Sequence, residues 1–235
     1  MSLPAALQTA AAEPLFGVAA TVLAYAGAQR LHRRWKWLHP LFVCAGGLIV
    51  LLLALDVPYE SYREGGDLVA FFLGPATVAL GVPLYKQADR IRRHAAAVLS
   101  AVTIGSFSSI ASAGFLVWLL GGSRELMATM MPKSATSPIA IEIVRQAGGI
   151  PELGAVFTVL TGLLGSMIGP ELLRLLGIRG ELSVAVAVGT AAHGIGTARL
   201  IRESETQGGL GGLAMAIAGI VTALAFMPLY GWLHP

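Results

Sequence analysis

Hydrophobic residues fall in long, nearly continuous runs at roughly 15 to 31, 39 to 56, 67 to 85, 96 to 120, 126 to 147, 153 to 177, 182 to 200 and 208 to 233. Most are long enough for a helix to cross about 30 Å of hydrocarbon. A membrane-spanning sheet needs short strands of alternating polarity, and these Ala, Leu, Val and Gly runs do not alternate. The pattern predicts an all-α fold: a polytopic transmembrane helix bundle of about eight segments, the fifth and seventh broken or re-entrant. It reads as one integral membrane domain over residues 1–235, with N-terminal spans in 1–60 and the main body in 61–235.

Composition agrees. Only 12% of residues are charged and 55% are hydrophobic, against about 25% charged in soluble domains. The mean hydropathy is +0.73, and 29 glycines suit close helix contacts in lipid. A net charge of +3 gives no basis for a nucleic-acid partner. Cys44 is the single cysteine and is expected to be a small buried residue, since one thiol builds no disulfide or metal framework within the chain. The first residues lack the basic stretch of a signal peptide, so the first apolar run is expected to be retained as a span. No phosphate-binding loop, metal-ligand spacing or Ser-His-Asp arrangement stands out; no catalytic or metal residues, no cofactor and no enzyme activity are expected.

Basic residues mark the topology. Arg30 to Lys36 and Lys86 to Arg93 each carry four, and both loops are expected in the cytoplasm with both termini outside. If the fifth and seventh segments cross, Arg145, Arg199 and Arg202 join that side while Arg174 and Arg179 fall opposite; a re-entrant fifth segment flips everything after it.

The densest polar cluster interrupts the fifth run: Pro132-Lys133-Ser134-Ala135-Thr136-Ser137-Pro138. Two prolines prevent an uninterrupted helix. Ser137 suits an N-cap with Pro138 as the first helical residue, and the new helix must stop by Gly148-Gly149, giving about 15 Å, half a bilayer core. Free N–H groups and the positive end of such a half-helix, dressed with Lys133, Ser134, Thr136 and Ser137, form an anion site. The competing reading is a surface loop with a snorkelling lysine. Glu142 and Arg145 form an i, i+3 pair on this helix, and Glu142 is also a candidate proton-coupling group.

A shift of 59 residues superposes Ala76-Thr77 on Ala135-Thr136 and Gln87-Ala88 on Gln146-Ala147. This suggests an internal repeat, with a second break at Gly74-Pro75-Ala76-Thr77 and Thr77 as a supporting site residue. The seventh run contains Gly189-Thr190-Ala191-Ala192-His193-Gly194-Ile195-Gly196-Thr197-Ala198-Arg199. Breaks are expected at Gly189, Gly194 and Gly196. His193 is either a proton carrier or donor to a substrate, or a core histidine bonded to a neighbouring carbonyl. Thr190, Thr197 and Arg199 add hydroxyls and a forked cation suited to carboxylates.

The motifs Pro132 to Ala140, Gly148-Gly149-Ile150-Pro151, Ala192 to Ala198 and Leu73 to Leu80 resemble the signatures of the LrgB/CidB family, from about residue 60 to the C-terminus, with Ala135 where a branched apolar residue is usual. The family includes the membrane half of the plastid glycolate/glycerate translocator. The resemblance implies a carrier of small monocarboxylates of the glycolate, glycerate, lactate or pyruvate type, with proton coupling as an option, and makes 61–235 an LrgB-like transport core. Its alternative is an antiholin-like regulator of murein hydrolase export and cell lysis beside an LrgA/CidA-type membrane partner. It further implies a bacterial cytoplasmic (inner) membrane, a lipid bilayer setting and a homo-oligomer. On the carrier reading Lys133 holds the carboxylate while His193 and Thr197 contact the 2-hydroxyl or 2-oxo oxygen.

Overall fold

The computed structural model describes residues 13–35, 38–72, 75, 78–79, 81–86 and 88–233, and among them every regular element is a helix. The chain divides into two compact units, Met1–Ala79 and Leu80–Pro235. The first unit holds α1 (Pro14–Arg34), α2 (Pro40–Ala54) and α3 (Tyr59–Phe71). Prolines in the first turns of α1 and α2 start helices where no N–H is needed. Gly17 of α1 and Gly65 of α3 bring two backbones into contact; a Cβ on Gly17 would meet the Tyr62 carbonyl and lie 2.8 Å from Gly65 Cα. The Thr21 hydroxyl donates to Gly17 O at 2.7 Å and meets Tyr62 Oη at 3.0 Å. Ala20, Ala28, Leu48 and Cys44 form the small core beside them, so the cysteine is buried as its isolation implied.

The second unit holds α4 (Gly81–Lys86), α5 (Ala88–Leu119), α6 (Arg124–Met130), α7 (Ser137–Gln146), α8 (Pro151–Leu175), α9 (Glu181–Glu203) and α10 (Glu205–Leu233). By length and composition Arg92–Leu119, Pro151–Leu175, Glu181–Glu203 and Glu205–Tyr230 could each cross a membrane. The third does not, because it doubles back. At His193 the backbone takes φ 40° and ψ −135°, and the chain beyond returns along the chain before it. Ser204 Oγ lies 3.4 Å from Glu181 Oε1, joining the two ends of α9. Leu200 packs with Ala185 and Val188, and a Cβ on Gly196 would lie 2.8 Å from the Val188 side chain. In a straight helix residues 188 and 196 stand about 12 Å apart.

The fifth apolar run is a second such hairpin. α6 descends, residues 131–136 turn, and α7 returns, so that Met127 and Ala128 pack with Ala147 and Ile150 N donates to Thr129 Oγ1 at 2.9 Å. α7 stops where expected: Gly148 takes φ 72°. Its N-cap is Thr136 rather than Ser137, which is already helical, leaving Pro138 second in the helix. The displacement is harmless because the missing proline N–H would lack a partner at either position.

Three helices run through the unit. Lys86 Nζ pairs with Glu205 Oε1 at 2.5 Å, putting the starts of α5 and α10 on one face; Val98 and Val102 then pack with Ala214 and Ala218, and Val117 with Ala225 and Phe226 farther along. α5 and α10 are therefore parallel. α8 is antiparallel to both, its Glu171 meeting Arg199 near the end of α9. The α6–α7 hairpin enters from the face where α5 ends, and the α9 hairpin from the face where α5 begins. Arg199 and Arg174 share Glu171, at 2.8 and 3.0 Å, which corrects the expectation that they lie on opposite sides. With both broken segments re-entrant, Lys86, Arg92, Arg93, Arg174, Arg179, Arg199 and Arg202 gather at one face, while Arg124 and Arg145 stand at the other. The proposed 59-residue register falls partly on Gly74, Ala76, Thr77 and Gln87, which lie outside the described residues.

In a Cys44→Ser background, cysteines at Ile178 and Ser204 should respond alike to an impermeant thiol reagent in intact cells, and oppositely to cysteines at Leu120 and Gln146. Opposite labelling of 178 and 204 would mean that α9 crosses.

Candidate functional site

The two hairpins press on neighbouring positions of each through helix. On α5, Ser109 touches the first turn, and Gly105, four residues earlier, faces Thr190 of the second, whose Cγ2 would lie 3.3 Å from a Cβ there. On α10, Ile139 Cδ1 would lie 2.7 Å from a Cβ on Gly219, and Met215 Sδ 3.7 Å from one on Gly194. On α8, Val144 packs on Gly154 while His193 Nε2 bonds the Thr158 carbonyl at 2.9 Å. Each pair of contacts is four residues apart on its through helix, about 6 Å of rise.

Seating two reversed backbones needs room, and α8 supplies it. Its buried positions Gly154, Thr158, Gly162, Ser166 and Pro170 recur every four residues, the spacing that aligns side chains on one helical face. His193 fills the notch at Gly162, where a Cβ would lie 2.6 Å from Cε1 and 2.7 Å from Nε2. The histidine is 3% exposed, and its bond to Thr158 O matches the core-histidine alternative. A positive φ is uncommon for a residue with a side chain and persists where surroundings over-determine it; the ring locked against α8 provides that restraint.

The first turn carries an unpaired cation. Lys133 Nζ donates to Ser109 Oγ at 3.3 Å and Ser134 Oγ at 3.4 Å, and the two hydroxyls are 2.7 Å apart. Among the described residues it forms no ion pair with a carboxylate. Thr136 caps α7 without a side-chain hydrogen bond, so the first α7 amides and Lys133 stand at the same turn. Thr136 and Ser137 are half-buried beside it. Ser109 is a site residue the sequence reading missed. Its signal was present in Ser106, Ser108, Ser109 and Ser112, four hydroxyls within seven residues of an apolar run.

Other expected residues are engaged inside the protein. Thr190 donates to Val186 O at 2.7 Å and Thr197 to His193 O at 2.9 Å. Glu142 pairs with Arg145 at 2.5 Å and accepts from Gln146 at 2.9 Å, on an exposed face. Arg199 reaches Glu171 at 2.8 Å, Glu203 at 3.0 Å, and the carbonyls of Ser166 and Met167. Pro170 has no N–H to offer the Ser166 carbonyl one turn earlier, and the guanidinium occupies that acceptor. Gly189 serves close packing against the Gly211 backbone, and Gly196 packs on Val188 and Ala192 across the hairpin, whereas Gly194 directly follows the break. Pro75 is helical and exposed; Thr77 lies outside the described residues.

A cavity of about 520 Å³ runs between α5 and the first arm of α9, from Ala97 and Ser183 to Ser109, Thr190 and Ala191. It joins surroundings of both turns: Ser109 holds Lys133, and Thr190 lies one turn before His193. Its wall is mostly apolar, with the hydroxyls of Ser109, Ser183 and Thr190, and Lys133 stands behind Ser109, so that a cation and hydroxyls suited to a small anion lie next to an apolar wall.

The model of the LrgB-like family matches residues 21–232. A Bacillus subtilis (strain 168) protein, YwbG, described as uncharacterized, is 38% identical over 207 residues, covering 87% of this chain and 92% of that protein. A Haemophilus influenzae protein, also described as uncharacterized, is 34% identical over 206 residues, 87% of this chain and 89% of its own. The antiholin-like protein LrgB of Bacillus mycoides (strain KBAB4) is 31% identical over 224 residues, 93% of this chain and 97% of its own. No solved structure matches.

Gly162→Ala should lower the melting temperature by the equivalent of about 1–3 kcal/mol, the usual cost of overpacking, because the new methyl displaces the His193 ring from Thr158. Gly169→Ala, whose Cβ would sit 3.8 Å from Val188, should be neutral or stabilising, since alanine is the better helix former. Equal melting of the two variants would remove His193 as the seat of the hairpin.

Proposed function

The chain belongs to the LrgB-like family, and from that premise we propose that it is a membrane carrier for small monocarboxylates of the glycolate, glycerate, lactate or pyruvate type. Three through helices of membrane-spanning length, among four apolar candidates, and the family make it a multi-pass membrane protein. The observation that carries the finer reading is Lys133, a cation without a described carboxylate partner at the turn of a half-helix, inside a bundle whose second hairpin arrives from the other face. Even a half-buried cation is costly unless something pairs with it, and a carboxylate bound by Lys133 and the α7 amides supplies that partner with charge-assisted bonds. Opposed broken helices within one bundle are a recurrent transport device, since they put helix ends, instead of continuous backbone, at the substrate. The face that gathers most basic residues is assigned to the cytoplasm, and the bacterial relatives favour the inner membrane as location.

A second reading has its own support. Several relatives at 31% identity carry the name antiholin-like protein LrgB, which favours a regulator of murein hydrolase export and lysis acting with an LrgA/CidA-type partner. A change in lysis could also follow indirectly from disturbed carboxylate or proton balance, so a lysis phenotype alone does not separate the two.

Proteoliposomes separate them. Purified protein should take up labelled glycolate, glycerate, lactate or pyruvate, and an imposed pH gradient should reveal whether protons accompany the acid. Lys133→Ala should lose about 10- to 100-fold in uptake, the worth of a hydrogen bond to a charged group, with unchanged melting. Full uptake by that variant would end the assignment of Lys133. Absence of uptake by the wild type would leave the antiholin-like reading alone standing.

A further inference from the structure

We propose that Ser106 of α5 reads the neutral end of the substrate and so sets the preference for 2-hydroxy or 2-oxo acids over simple alkanoates. This rests on the carrier reading and adds to it a specificity residue. The buried stripe of α5 runs Val98, Val102, Ser106, Ile110, Ala113 and Val117, and Ser106 is its polar member, 3% exposed. Its Oγ has no hydrogen-bond partner among the described residues. Thr129, Thr158, Ser166, Thr190 and Thr197, also buried, each donate to a carbonyl of their own helix. A serine in a helix ordinarily has that escape. Ser106 leaves its hydroxyl unspent where an unpaired polar group costs stability.

The placement points to a ligand. Val102, one turn before Ser106, packs with Val186 of the α9 hairpin; Ile110, one turn after it, packs with Met131 of the first hairpin. Ser106 therefore sits at the level where the two turns face each other. Gly105 beside it abuts Thr190, and Ser109, three residues on, holds Lys133. The groups first expected to contact the neutral oxygen are engaged elsewhere: His193 Nε2 by Thr158 O, and the Thr197 hydroxyl by His193 O. A 2-substituted acid has one anionic and one neutral polar end. Lys133 and the α7 amides match the first, and the buried, unpaired hydroxyl of Ser106, beside the cavity-lining Gly105 and Ser109, matches the second.

The test compares labelled lactate with labelled propionate, which lacks the 2-oxygen, in proteoliposomes of wild type and Ser106→Ala. The wild type should prefer lactate, and the variant should lose about three- to tenfold of that preference, the range one neutral hydrogen bond supplies. Propionate uptake should be unchanged and the melting temperature equal or higher, since the substitution removes an unpaired hydroxyl. An unchanged preference, or a marked fall in melting temperature showing that the hydroxyl supports the fold, would overturn the assignment. Wild-type uptake that depends on Lys133 but treats both acids alike would keep the carrier reading and remove Ser106 from it. Uptake of neither acid by the wild type would remove both.

Discussion

Hydrocarbon tolerates no free backbone, so a chain that reverses direction at membrane depth must find every partner inside the protein. Both hairpins of the second unit obey this constraint, and the rest of the unit is arranged around it. α8 is narrow along one face because two reversals rest there, and α10 carries Gly211 and Gly219 where arms of the hairpins press on it. At His193 the constraint is met by a side chain: the ring Nε2–H donates to the Thr158 carbonyl of α8 while the backbone bends, and the Thr197 hydroxyl donates to the His193 carbonyl that the break exposes. At the first turn it is met by hydroxyls, with Thr129 receiving the Ile150 amide at the hairpin's base.

Charge follows the same logic. Arg199, half a helix from the turn, is surrounded by two carboxylates and by the acceptor that Pro170 leaves on Ser166; its work is to fasten the returning arm of α9 to α8. Lys133 has only hydroxyls. Two cations of similar sequence prominence thus have different standing: one is neutralised by the fold, the other is left with its charge uncompensated by any described acid. The proposed anion site at the first turn rests on that contrast.

Much of this was legible in the chain. Proline and glycine act through their own covalent geometry, so Pro132, Pro138 and Gly148 announced a half-helix of the observed length. The fate of the glycine-rich stretch was legible only in part. Local propensity directs a reversal to Gly194 or Gly196, whereas the positive φ belongs to His193, because the deciding energy is the fit of its ring to Gly162 across the interface. No local rule contains that contact. The sidedness of Arg174 and Arg199 failed for the same reason: counting spans assumes that each apolar run crosses, and a run that folds back inverts everything counted after it. Ser109 and Ser106 were visible as a cluster of hydroxyls, yet their distinction from Ser108 and Ser112, which are exposed, depends on which face of α5 the hairpins cover.

Each hairpin begins and ends on a single face, and this has a mechanical consequence. A crossing helix that slides drags a connection at both surfaces, so its motion is tied to loops on either side. The arms of α9, joined at their ends through Ser204 and Glu181, are anchored at one surface alone, and so are those of α6 and α7. Either wedge can loosen without pulling any thread of the chain through the bundle, and the opposite wedge feels the displacement through the helices that both press on.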